Sequence, residues 1–312
     1  MKKTLILALV CLLIIPSLAL AQKQASYRFV IIPKVVHPWF DLVHQGAKMA
    51  ATMLEQQTGS KVTIEYRAPQ KADVVEQNQI FERAIATKPD GITIDLLDEK
   101  ANKAVIEESL KQGVPVVMFD SEPPQGMDLT FVGNDFCEQA QIASKRLVEM
   151  LGGKGEVAIM MGVPTAVNHK IRAECHEKLF KQHPDIKLVA KGIDNDEIET
   201  AQKQAAAIMQ ANPNLKGWVS CDAAGPIGVG IAIKEAGKVG KVLSVGLDDL
   251  PQMIDLIKEG VADSSASTKP RTQGYWAVIS MWQAKMGALM PKRIDTGIGV
   301  ITKGMTQNYK GF

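Results

Sequence analysis

Gly113-Val114-Pro115-Val116-Val117-Met118-Phe119-Asp120 is the stretch on which the fold is decided. From Val116 to Phe119 four apolar residues follow one another, so both faces of an extended segment are apolar. A strand with water on one face alternates apolar and polar. A strand buried on both faces, as in a parallel sheet covered by helices, does not. The stretch starts after a Gly-containing turn and ends on an acid. The same plan returns in Lys241-Val242-Leu243-Ser244-Val245-Gly246-Leu247-Asp248. One unit upstream of each lies a second matching pair, Lys88-Pro89-Asp90-Gly91-Ile92-Thr93-Ile94-Asp95 and Asn212-Pro213-Asn214-Leu215-Lys216-Gly217-Trp218-Val219-Ser220-Cys221-Asp222. Each has a helix stop, a proline turn, a short apolar strand and an acid just past its end. A repeat of this kind implies two similar halves.

Outward from these units the chain alternates β-branched runs with amphipathic stretches. Strands are expected at Arg28–Pro33, Lys61–Tyr66, Gly91–Ile94, Pro115–Phe119, Glu156–Met160, Ile186–Ala190, Gly217–Ser220 and Val242–Gly246. Helices are expected at about 39–57, 72–87, 99–112, 135–151, 169–182, 197–211, 225–236 and 251–259. Such alternation reads as a doubly wound α/β fold, and 312 residues suffice for two domains. Ligands of open parallel sheets sit outside the carboxyl ends of the strands. Asp95, Asp120, Asp222 and Asp248 occupy that edge, so two such edges facing each other would make one acid-lined cleft.

Residues 1–21 read differently. Lys2 and Lys3 precede a nearly unbroken apolar run from Leu5 to Leu18, and Ala19-Leu20-Ala21 offers small residues for cleavage. This is the pattern of a secretory signal peptide cut after Ala21, and the run is short for a membrane span. Cys11 follows the bulky Val10 deep in that run, which argues against lipidation. The chain carries 36 Lys and Arg against 34 Asp and Glu; without Lys2 and Lys3 the two signs are equal. A neutral chain lacks the lysine and arginine excess that phosphate backbones demand, so no nucleic-acid partner is expected. Of the remaining cysteines, Cys137, Cys175 and Cys221 are too few and too scattered for a disulfide framework or a zinc knuckle. They are expected as small buried residues with one optional disulfide, and no metal or cofactor is expected.

Candidate ligand contacts follow from chemistry. His37-Pro38-Trp39-Phe40 lies where a strand gives way to a helix, and aromatic rings at a cleft edge cover the C–H face of a sugar ring. Hydroxyl-rich ligands need carboxylates as acceptors and Arg or Lys as donors, because charge-assisted hydrogen bonds are the strong ones. Asp120, Asp222 and Asp248 can accept; Arg172, at the start of a helix, can donate. The competing role for an acid after a strand is to cap the next helix, most plainly for Asp248 ahead of Pro251. Asp194-Asn195-Asp196 has the opening spacing of a calcium loop without its later Gly and Glu and reads as a solvated helix cap. Gly225-Pro226-Ile227-Gly228-Val229-Gly230 does not match the dinucleotide turn, and no nucleophile elbow, zincin or phosphate-loop motif is present.

Taken together, the export signal, the Pro38-Trp39-Phe40 tip, the strands ending at Asp120 and Asp248, and the Arg172 helix start resemble the ribose-type sugar-binding proteins of ABC transporters, over about Tyr27 to Thr302. The resemblance implies two doubly wound lobes joined by a three-segment hinge. The expected N-terminal lobe is 22–133 plus 269–291, and the C-terminal lobe 134–268 plus 292–312, with crossings near Val132–Asn134, Thr268–Pro270 and Met290–Arg293. It also implies a periplasmic, monomeric protein that closes on a small sugar or polyol and delivers it to a membrane permease, without catalysis. By position, His37, Trp39, Phe40, Asp120, Ser121, Arg172, Asn195, Asp222, Asp248 and Thr268 correspond to the family's ligand contacts. Ser121 stands where the family has arginine, Asn195 where it has an aromatic ring, Asp222 where it has asparagine and Thr268 where it has glutamine; these departures argue against ribose itself. Ile32-Pro33-Lys34 is similar to the branch that binds autoinducer-2 and deoxysugars, which adds Lys34 and Asn168 with its neighbour His169. An alternative role within the resemblance is presentation of a signalling molecule or sugar to a membrane sensor. The added acid and fewer aromatics point to an open-chain polyol, a compact sugar derivative or an amino-bearing sugar.

Overall fold

The computed structural model describes residues 25–311; the expected signal peptide lies outside the described residues. The first lobe is built on strands β1 (Ser26–Ile32), β2 (Lys61–Tyr66), β3 (Gly91–Ile94), β4 (Val116–Phe119) and β5 (Phe131–Gly133). Helices α1 (Pro38–Thr58), α2 (Val74–Ala86) and α3 (Glu99–Lys111) connect the first four. The chain then crosses to the second lobe, with helices α4 (Phe136–Met150), α5 (Val167–Phe180), α6 (Ile198–Ala211), α7 (Gly225–Glu235) and α8 (Pro251–Lys258). Its strands are β6 (Gly155–Met161), β7 (Ile186–Ile193), β8 (Leu215–Ser220), β9 (Leu243–Ser244), β10 (Gly246–Leu247) and β11 (Ser264–Ser267). Helix α9 (Pro270–Lys285) and β12 (Arg293–Asp295) return to the first lobe, and β13 (Gly299–Thr302) closes the second.

The first sheet has the order β12-β5-β4-β3-β1-β2, and every pairing in it is parallel. Its apolar-on-both-faces strands divide by alternate residues. Phe29, Ile31, Val117 and Phe119 enter one core, while Val30, Ile32, Val116 and Met118 enter another. The second lobe runs β7-β6-β8-β9 and β10-β11-β13. Val245 interrupts the strand between β9 and β10, yet its amide still bonds Trp218 O, so the two parts continue one another. The antiparallel member is β13, at the edge beside β11.

Local chemistry sets the helix boundaries. Asp73, Asp98 and Asp135 cap α2, α3 and α4, each accepting backbone amides of the first turn. Helix α1 starts with Pro38 after the cap residue His37 and stops at Gly59, whose left-handed φ of 67° costs least in a residue without Cβ. Helices α1 and α9 cross closely because of two glycines: a Cβ on Gly46 would lie 1.9 Å from Arg271 O, and one on Gly274 would lie 1.9 Å from Val43 O.

Three segments connect the lobes: between β5 and α4, between β11 and α9, and between β12 and β13. The third lies later than the expected Met290–Arg293, and residues 293–295 belong to the first lobe rather than the second. Arg293 pairs with Phe131 in register, stacks its guanidinium 4.6 Å above that ring and forms an ion pair with Glu122. These contacts hold the segment on the first sheet until Thr296, whose amide bonds Gly133 O.

Candidate functional site

The carboxyl ends of both sheets face one another across a small cavity of about 20 Å³. The first lobe contributes Lys34, His37, Trp39, Phe40 and Asp120; the second contributes His169, Arg172, Asp196, Asp222, Ala223 and Asp248.

The two strand-end acids at repeated positions are built alike. Asp120 after β4 and Asp248 after β10 both take a left-handed backbone, with φ of 48° and 67°, a conformation that costs a non-glycine residue of order 1 kcal/mol. In both the kink turns a carboxyl towards the cavity. Asp120 receives Asn168 Nδ2 on its carbonyl and on Oδ2, both at 2.7 Å, and Gln273 Nε2 on Oδ1 at 3.3 Å. Asp248 Oδ1 accepts from the amide of Thr268 at 2.9 Å and from the Thr268 hydroxyl. It therefore does not cap α8. Burial pushes the Asp248 carboxyl up to about 7, against the lowering effect of Thr268.

Arg172, 2% exposed, is the donor among these acids. Its Nε donates to Gln139 Oε1 at 2.8 Å and its Nη1 to Cys221 O at 3.1 Å. Its Nη2 has no hydrogen-bond partner and lies 3.7 Å from Asp120 Oδ1, across the cleft. Phe136 supports the guanidinium face, 4.8 Å away. Trp39 also bridges towards the second lobe's acid, donating from Nε1 to Thr268 Oγ1 at 3.0 Å, so that Trp39, Thr268 and Asp248 form one chain. Phe40 meets Trp39 edge-on at 4.9 Å. His37 accepts the Trp39 amide on Nδ1, which leaves the proton on Nε2, a donor without a partner. Burial keeps the His37 ring below its ordinary pKa.

Lys34 sits 3.3 Å from Asp95 Oδ2 and 3.5 Å from Asn168 Oδ1 on the opposite lobe. Burial works against its charge, and Asp95, Asp196 and Asp120 more than restore it, so its pKa is raised. Asp95 itself is pushed up to about 8, first by burial, with Lys34 opposing. His169 takes the Val163 amide on Nδ1 at 2.8 Å. Its Nε2 lies 3.9 Å from Asp196 Oδ1, and burial followed by the Lys34 ammonium holds the ring well below its ordinary pKa.

Four sequence expectations do not hold as cavity contacts. Ser121 is buried beneath the wall, where its hydroxyl accepts the Leu96 amide at 2.8 Å and ties the ends of β3 and β4 together. Asn195 is exposed, because its φ of 56° turns the chain outward there. Thr268 and Asn168 stand one layer back, orienting Asp248 and Asp120. Asp222 lines the cavity: its Oδ2 accepts the amides of Ala224 and Gly225 at the start of α7, and its carboxyl hydrogen-bonds those of Asp194 and Asp196. The solvated-cap reading of Asp194-Asn195-Asp196 is overturned. Asp194 is fully buried and the Asp196 side chain is 9% exposed at the cavity. The same strand-end rule would have found both had β7 been read to its true end at Ile193 rather than Ala190. Gln273 and Gln139 were also missed; no sequence signal distinguishes them from other helical glutamines. Cys137 and Cys175 form a disulfide between α4 and α5, and Cys221 is free and buried.

Residues 28–288 match the periplasmic binding protein domain model. The chain belongs to the periplasmic binding protein family. Among its relatives is a D-apiose import binding protein of Actinobacillus succinogenes, 26% identical over 242 residues, covering 77% of this chain and 76% of that one. A D-allose-binding periplasmic protein of Escherichia coli is 27% identical, covering 84% and 86%. A solute-binding protein of Burkholderia graminis solved with D-arabinose superposes with a TM-score of 0.84 at 29% identity, over 91% of this chain and 97% of its own. Membership agrees with the two-lobed fold and implies a periplasmic location.

Proposed function

We propose that the protein is the solute-binding component of an ABC transporter, closing its two lobes on one small monosaccharide, polyol or sugar derivative. The observation that carries this reading is a cavity walled by both lobes, lined by buried unpaired donors (Arg172 Nη2, His37 Nε2) and by carboxyl oxygens of Asp196 and Asp222 that no amide, hydroxyl or cationic donor reaches. Hydroxyl groups both donate and accept, so a polyhydroxy ligand pairs both kinds at once. Buried polar atoms left alone are costly, and satisfying them from either side rewards closure only when ligand is present. Trp39 and Phe40 supply the apolar wall against which C–H groups pack.

The relatives named for apiose and allose, and the neighbour holding arabinose, support five- and six-carbon sugars as the first compounds to test. The protein acts as a monomer, is cleaved after Ala21, hands its ligand unchanged to a membrane permease, and uses no cofactor. A thermal-shift screen over pentoses, deoxysugars, tetritols, hexitols and inositols tests this, because a ligand bound only by the folded state raises the melting temperature. A hit that also contracts the scattering profile, and is recovered chemically intact, is the expected result. No stabilisation by any polyhydroxy compound would refute the proposal.

A further inference from the structure

Six carboxyl groups line the cavity or stand directly behind it (Asp95, Asp120, Asp194, Asp196, Asp222 and Asp248), against two buried cations, Lys34 and Arg172. The cations are already engaged: Lys34 with Asp95 at 3.3 Å, Arg172 with Asp120 at 3.7 Å. The acids of the second lobe gather at the ends of β7 and β8, where Asp196 faces His169 at 3.9 Å and Asp194 and Asp222 have no cation beside them. Asp194 Oδ2, Asp196 Oδ2 and Asp222 Oδ1 receive no amide, hydroxyl or cationic donor; the Asp222 carboxyl hydrogen-bonds those of Asp194 and Asp196 instead. A Cβ on Gly225 would lie 2.6 Å from Asp222 Oδ1 and 3.0 Å from Asp194 Oδ2, so the missing side chain is what lets these two oxygens converge. Asp196 and Asp222 form the adjoining cavity wall, and Asp222 is 2% exposed.

We propose that this acidic corner receives a cationic nitrogen, and that the ligand is an amine-bearing sugar or amino polyol whose ammonium group lies against Asp196 and Asp222. The inference rests on the reading of the cleft as a polyhydroxy site and narrows it. A neutral hydroxyl brings one hydrogen to a corner where three carboxyls meet and share protons. An ammonium group brings three, together with the positive charge that this side of the cavity lacks. The rest of the molecule then presents hydroxyls to Arg172, Asp120 and Asp248 and its C–H face to Trp39. Against the burial that opposes its charge, His169, Lys34 and His37 hold the Asp196 carboxyl below its ordinary value, whereas Asp194 and Asp222 without such a cation are tenable only when protonated. Burial, with Asp222 and Asp196 adding to it, drives the Asp194 carboxyl up to about 11. Burial and Asp196 drive Asp222 well above the usual carboxylate range. Ligand ammonium takes the place of bound proton, so binding releases protons.

The test is isothermal titration of the full mature protein at pH 7 in two buffers of different ionisation heat. The probes are glucosamine, galactosamine, mannosamine and an amino tetritol, each beside its hydroxyl parent and its N-acetyl derivative. The best amine is expected to bind about tenfold or more tightly than its hydroxyl parent, to lose that advantage on acetylation, and to release about one proton per site. Asp222→Asn is expected to reduce the amine-to-hydroxyl preference to less than threefold. If that variant does not fold, the proton count on the wild-type protein still decides. A hydroxyl parent that binds as tightly as its amine, without proton release, overturns this inference and leaves the sugar-binding reading intact. Failure of every amine and every hydroxyl compound to bind overturns both.

Discussion

Replacing Arg172 by methionine keeps most of the side chain's length and removes its charge and its donors, which isolates what the guanidinium does. Three acceptors lose a partner: Gln139 Oε1, Cys221 O and Asp120 Oδ1. Asp120 is 4% exposed, so its carboxylate cannot recover the lost interaction from water. Removing one member of a buried charge pair costs about 3–5 kcal/mol. The retained contact with Phe136, 4.8 Å below the guanidinium, favours the lower end, because a methionine thioether also packs well on a ring. The cost is therefore expected at about 3 kcal/mol in the unliganded protein, and ligand affinity falls by at least a further ~2 kcal/mol as ligand hydroxyls lose their donor. A second substitution separates charge from packing. If the lone Asp120 carboxylate carries most of the penalty, Asp120→Asn with Arg172→Met costs about 1–2 kcal/mol less than the two single substitutions added together. Urea unfolding at pH 7 of the four proteins, compared by midpoint at unchanged slope, gives the coupling. Additivity within about 0.5 kcal/mol would refute the claim that the two groups interact across the cleft.

Three further outcomes follow from other parts of the molecule. The Cys137–Cys175 disulfide closes a loop with a sequence separation of 38, worth about 4 kcal/mol on the chain-entropy model; reduction or the double serine variant should lower the urea midpoint accordingly, and an unchanged midpoint would contradict this. The raised carboxyls, Asp248 at about 7 and Asp95 at about 8, contribute stability that is complete below the unfolded value of 3.8 and lost as pH rises through those values. The depressed histidines act in the opposite sense only below their ordinary value of 6.5, so the melting temperature of the unliganded protein should fall between pH 6.5 and 8.5; a rise over that window would exclude these shifts. Trp39→Phe deletes the indole bond to Thr268 and so loosens the support of Asp248: affinity for the identified ligand should fall about five- to thirtyfold, one hydrogen bond's worth with a buried acceptor left over, and wild-type affinity measured by titration would sink the idea.

What the sequence determined by itself is the part written in short-range chemistry. Val116–Phe119 and its counterpart ending at Asp248 are apolar on both faces because each strand feeds two cores, and that alone dictates helices on either side of a parallel sheet. Acids directly after those strands, Asp120, Asp222 and Asp248, had to stand at the sheet edges, and Pro38 had to open a helix carrying Trp39 and Phe40. Other elements have no such local signature. Helix α9 has apolar residues all round because it lies between α1 and the first sheet, and β5, β12 and β13 are three or four residues long and take their pairing from distant strands. Only the tertiary structure decided which polar groups reach the cavity. Edge strand β7 alternates Lys191, Gly192 and Ile193 and looks like a loop until its pairing with β6 carries it to Ile193, delivering Asp194 and Asp196 to the cleft. Ser121, Thr268 and Asn168 lie within a few ångströms of the same place yet point one layer back, because a hydrogen bond to a neighbouring amide or carboxylate fixes each rotamer. Which of several nearby side chains faces a cavity depends on packing partners far away in the chain, and a linear pattern does not encode those partners.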